Sequence, residues 1–135
     1  MTIQLSTDVR NAKADATETA IGASPILRIR TGAPPANCAA ARAGTVLATV
    51  NLPADWLTAA SNGSKSRNGT WEDLAADAAG TAGHFEIMNN AGTVCHMQGT
   101  VTAAGGGGDM TLDNAVFAVG QGFSVATFNL TEGGA

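Results

Sequence analysis

Apolar positions recur in two rhythms along this chain. Over residues 6–21, STDVRNAKADATETAI, they fall near every fourth place as Leu5, Val9, Ala12, Ala16 and Ala20, the spacing of one helical face. Ser6 can cap such a helix, Asp8 suits the positive end of its dipole, and Gly22 is placed to stop it. The stripe is mostly alanine, so at about 25 cal/mol per Å² it holds weakly to whatever it packs on. Two roles suit a helix of this kind: a cover over one end of the body, or an arm laid against a neighbouring subunit.

After Pro25 the rhythm changes to two. ILRIRT (26–31) reads as a strand with Leu27 and Ile29 on one face and Arg28 and Arg30 on the other. A long loop of small residues (32–44), stiffened by Pro34 and Pro35, separates it from TVLATVNL (45–52). There Val46, Ala48, Val50 and Leu52 share one face, with Thr45, Leu47, Thr49 and Asn51 on the other. Asn62-Gly63 and Asn68-Gly69 are turn signals that predict an exposed excursion carrying Lys65 and Arg67. Residues 73–83 read as a loop or a single helical turn. GHFEIM (83–88), the NNAG turn (89–92) and TVCHMQGTVTA (93–103) predict a hairpin. Its first arm points Phe85 and Ile87 inward; in its second, Cys95, Met97, Gly99 and Val101 face one way and Val94, His96 and Gln98 the other. Gly105–Gly108 reads as a flexible linker. In the closing segment the alternation of Phe123 and Val125 slips one step before Phe128 and Leu130, which predicts a β-bulge near Ala126-Thr127. The whole reads as an all-β, jelly-roll-like sandwich of about seven or eight short antiparallel strands with a short N-terminal α-helix. Residues 1–24 form the helix or arm and 25–135 the body of a single domain.

Composition agrees with this. The 135 residues are 44% hydrophobic but only 4% aromatic and 13% charged, with 17 glycines, which suits short strands and tight turns better than a helical bundle. A chain of this length buries roughly two-thirds of its unfolded surface. The net charge of −4 and the scattered cations Arg10, Lys13, Arg28, Arg30, Arg42, Lys65 and Arg67 argue against nucleic acid, which requires clustered Lys and Arg. No apolar run approaches the ~20 residues of a membrane span, and MTIQLSTDVRNAK does not read as a secretory leader, so synthesis and folding in a cytoplasm are expected. In that reducing setting Cys38 and Cys95 are expected as two thiols, Cys95 in the core beside Met97, with a disulfide left open.

Candidate chemistry is sparse. Across the hairpin His84 and His96 would approach each other, with Glu86 on the His84 face. A metal site or pH-sensitive patch would follow, but no third ligand is set by spacing, and the residues read as a solvated polar face. Asp109, Asp113 and Asn114 lack the alternation of a calcium loop, Gly105–Gly108 lacks the Lys-Ser or Lys-Thr of a phosphate loop, and SNGSKS is no nucleophile elbow. No catalytic residue, metal ligand or cofactor is expected. Trp56 and Trp71, with Lys65 and Arg67, would form a surface-binding patch, or the tryptophans would complete a core short of large side chains.

The segments MTIQLSTDVRNAKADATETAIGASPILRIRTGAPP, GTVLATVNLP, GTAGHF, CHMQGTV, GGGGDMTLDN and GQGFSVATFNLT together resemble small tailed-phage and prophage virion proteins, in particular the capsid cement, or decoration, proteins of short-tailed phages. The resemblance implies a non-enzymatic jelly-roll-like subunit on the outer shell of a virion, bridging major capsid proteins. Its implied partners are the major capsid protein and copies of itself, as dimer or trimer. A weakly anchored helix suits such assembly, with Ile3, Leu5, Val9, Ala12, Ala16, Arg28 and Arg30 as candidate interface residues. The alternatives are a tail- or fibre-associated virion protein, or a carbohydrate- or cell-surface-binding module using the tryptophans and the 61–69 loop.

Overall fold

The computed structural model describes residues 3–134; Met1, Thr2 and Ala135, the outer ends of the expected arm and body, lie outside the described residues. One helix, α1 (Thr7–Ile21), precedes nine strands: β1 (Ile26–Thr31), β2 (Val46–Asn51), β3 (Ser64–Ser66), β4 (Glu72–Asp73), β5 (Gly80–Met88), β6 (Cys95–Ala103), β7 (Met110–Leu112), β8 (Val116–Phe117) and β9 (Phe123–Thr131). Strands make up 39% of the chain. They join in one sheet in the order β2-β1-β5-β6-β7-β9-β3, with β4 on β9 and β8 on β5. The sheet curls, so that β2 at one end lies against β4, which pairs with β9 near the other. The Asp77 N–H closes this seam on the Leu47 carbonyl at 2.7 Å.

The sheet is mixed, not purely antiparallel. β7 runs parallel to β6, with Val101 opposite Met110 and Ala103 opposite Leu112. The expected linker makes this possible by packing against β6. A Cβ on Gly108 would meet the Thr102 nitrogen at 2.8 Å, and one on Gly106 the Thr102 hydroxyl at 2.7 Å. Asp109 then ties the return, its Oδ2 accepting from Thr100 N at 2.9 Å and from Thr100 Oγ1 at 3.0 Å.

Bulges set which residues face the core. Thr111 pairs with Thr127 but Leu112 with Val125, leaving Ala126 as the extra residue where the alternation slips. Ile29 pairs with Ala48 and Arg30 with Val46, so Leu47 is the extra residue of β2. It turns inward and is fully buried, contrary to its expected outer face. At the hairpin, Ile87 pairs with Met97 and Met88 with Cys95. His96 is extra here, and Cys95 moves to the face of Glu86 and Gln98, away from Met97.

All six aromatic residues are in one core. Trp71 lies 6.0 Å from Trp56 and 5.4 Å from Phe128, Phe128 meets Phe85 edge-on at 5.7 Å, and Phe117 stacks on Phe123 at 4.8 Å. A chain with so few large side chains places every ring where its area counts most.

Candidate functional site

Three features could carry function: a buried charge cluster under the 32–44 loop, a charged clamp beneath α1, and the outer face of α1.

The first is built on Glu86. Its carboxylate is fully buried in β5 and accepts from Arg30 Nε at 3.0 Å and from Arg42 Nη1 at 3.3 Å, with Arg28 Nη1 at 4.0 Å. The sequence places Arg28, Arg30 and Glu86 on one sheet face, since Arg28 pairs directly with Glu86 and Arg30 with His84. Arg42 comes from the loop and covers them. It also donates to Gln98 Oε1 at 2.9 Å, to the Asn37 carbonyl at 2.8 Å and to the Cys38 carbonyl at 3.1 Å, and its Nη1 lies 3.4 Å from Cys95 Sγ. Gln98 Nε2 returns a bond to the Pro35 carbonyl at 2.6 Å. A loop without apolar anchors is thereby held by one guanidinium in a fixed fork geometry. The cluster is a structural knot, since the carboxylate has no exposed surface for a ligand.

His84 is not on a solvated face. It is fully buried, and its Nδ1 donates to the Gly32 carbonyl at 2.9 Å, while Nε2 is buried and without a partner. His84 lies opposite Thr100, while His96 is exposed at the bulge, so the two imidazoles do not converge. Among the described residues no group of three His, Cys, Asp or Glu side chains could hold a metal ion.

The second feature is Lys65. Expected as exposed, it is 5% exposed and its ammonium lies 2.6 Å from Asp15 Oδ1 and 2.5 Å from Glu18 Oε2. Burial pulls its pKa down, but the bonds and charges of Asp15 and Glu18 outweigh this, and the net shift is upward. Around it, Asn11 Oδ1 accepts from Gly63 N at 2.7 Å and Arg10 Nη1 donates to the Asn62 carbonyl at 2.9 Å. Asn62 and Gly63 both have positive φ, 52° and 75°, as a type I′ turn requires. The turn signal was legible, but the helix packed over it was not.

α1 therefore docks by its polar side. Ala14 and Ile21 are buried, and Gly22 ends the helix where its carbonyl accepts from Trp56 Nε1 at 3.1 Å. The apolar stripe read from the sequence points the other way. Val9 is 46% and Ile3 81% exposed, Ala12 and Ala16 are exposed, and Leu5 is half-buried. Of the candidate interface residues, Arg30 is committed to Glu86, and Arg28 divides itself between Glu86 and Met88 Sδ, 2.9 Å away. Neither is free for a partner.

The expected surface patch does not form. Trp56 and Trp71 are fully buried, Trp71 Nε1 donating to the Asn68 carbonyl at 3.3 Å, and Lys65 lies under the helix. Arg67 alone reaches the surface, beside a hollow of about 270 Å³ next to the Ala126 bulge, and donates to the Gly69 carbonyl at 2.7 Å. No helix among the described residues is long and apolar enough to cross a membrane. No family model matches this sequence, and no curated protein or solved structure is significantly similar to it.

Proposed function

We propose that this chain is a non-enzymatic structural protein of a tailed-phage virion, a cement or decoration subunit that binds the outer shell and bridges major capsid proteins. The observation that carries the reading is the orientation of α1. Its face of Val9, Ala12 and Ala16, with Ile3 beyond it, is turned to solvent while its polar face is clamped to the body. A helix held in place before it meets a partner costs less ordering entropy on binding. A low-charge, acidic surface is in keeping with partners other than nucleic acid. In this reading the curled sheet is a jelly-roll-like body, the major capsid protein and further copies of the chain are the partners, and the outer capsid surface is the location.

Glutamates at Ala12 and Ala16 test the reading. On an exposed helix face they should shift stability by no more than about 0.5 kcal/mol. Sedimentation should nevertheless find the doubly substituted chain monomeric where the unsubstituted protein forms a dimer or trimer, and binding to purified shells should be lost. Shell binding unchanged by both substitutions would refute the role given to α1. Electron cryomicroscopy of the particle, with the copy number relative to the major capsid protein, separates a shell subunit from a tail or fibre component.

A further inference from the structure

We propose that Cys38 and Cys95 form a redox latch, a disulfide site that ties the 32–44 loop to β6. Both thiols are free and half-buried. Arg42 links the two positions, donating to the Cys38 backbone carbonyl at 3.1 Å while its Nη1 lies 3.4 Å from Cys95 Sγ. The His96 bulge is what turns Cys95 toward the loop; in unbroken alternation it would face Met97 and the core. The neighbouring Cys38 thiol adds to the rise in the Cys95 pKa. Without the latch the loop is held by polar contacts alone, centred on Arg42, Gln98 and Asn37.

The chemistry balances with a small disulfide as oxidant. The Cys38 thiolate attacks glutathione disulfide, forming a mixed disulfide and releasing one glutathione thiolate. Cys95 then loses its proton, attacks Cys38 Sγ and expels the second glutathione. The protein loses two electrons and two protons, and the oxidant becomes two thiols. Burial is the main cause that pushes the Cys95 thiol up to about 12, with the neighbouring Cys38 adding to it, so Cys95 is a poor attacking thiolate at neutral pH and the first step falls to Cys38. The latch stays open in a reducing cytoplasm and closes slowly in an oxidising medium. Closure cross-links a segment of roughly 60 residues, which constrains the unfolded chain strongly.

The test uses the unmodified full chain, incubated with glutathione disulfide at mildly alkaline pH. The expected product is a monomer lighter by the mass of two hydrogens, with Cys38 and Cys95 in one linked peptide after digestion. Its Tm should rise by on the order of 10 °C, and dithiothreitol should reverse both changes. Glutathione adducts that persist on the two cysteines without cyclising would overturn the proposal. So would an internal disulfide that lowers Tm, since the folded geometry would then oppose the bond.

Discussion

Arg30 Nε donates to Glu86 Oε1 at 3.0 Å across adjacent strands, and the carboxylate it meets has no exposed surface. A buried charge of this kind is tolerated only when its partners replace the water it loses, which Arg30 and Arg42 do together. The pairing gives β1, β5 and the 32–44 loop a common centre on the sheet face opposite Leu27 and Ile29.

Replacing Glu86 by Gln should therefore destabilise the protein by about 3 kcal/mol, since it leaves part-buried guanidinium groups without their counter-charge. Urea unfolding of Glu86→Gln measures this. A loss below about 1 kcal/mol would mean that the arginines find water or other acceptors instead.

Arg42→Ala should act more locally, because Arg30 still faces Glu86. Limited proteolysis should cut the variant within 36–44 while the sheet remains intact. Equal resistance in the two proteins would show that Gln98 and the prolines hold the loop unaided.

Lys65→Met removes the ammonium beneath α1 and leaves Asp15 and Glu18 facing an apolar group. Asp15 is exposed enough to regain water, so the loss comes mainly through Glu18 and should be about 2 kcal/mol. Helical circular dichroism should decline at a lower temperature than the near-ultraviolet signal of the buried tryptophans. Coincident transitions would make α1 part of the cooperative core.

High pH should weaken the fold in two stages under reducing conditions. Both Lys65 and Cys95 have folded-state pKa values raised above their ordinary ones. The stability each contributes is complete below its unfolded value and is lost as pH rises through the folded one. For Cys95 that window runs from 9.0 to about 12; for Lys65 it opens above 10.5. Tm measured against pH should fall from the first value upward, and Cys95→Ser should remove the earlier part of the fall and leave the later part.

Trp71→Ala should cost about 3–5 kcal/mol, as expected for a ring lost from a packed core, because Trp71 touches both Trp56 and Phe128. Thermal unfolding followed by circular dichroism reads this directly. A change well under 2 kcal/mol would mean that the neighbouring rings collapse into the space.

Several parts of this molecule were determined by local sequence. The helix runs from a Ser6 cap to a Gly22 stop because capping and left-handed backbone are short-range demands. Leu27 and Ile29 face inward, Asn62-Gly63 turns, residues 89–92 close a hairpin and Ala126 bulges, since each depends on alternation or turn chemistry within a few residues. Tertiary structure decided what those elements meet. Periodicity says which residues share a face, but not which face will find a partner. The weak stripe of α1 accordingly stayed outside, while Lys65, 50 residues beyond Asp15 in the chain, drew the polar side carrying Asp15 and Glu18 inward. The bulge at His96 turned Cys95 from the core to Arg42, a reversal that depends on the register between two strands. Trp56, Trp71 and Glu86 went fully inside because a chain with few large side chains and a curled sheet had a centre to fill and charges to pair there.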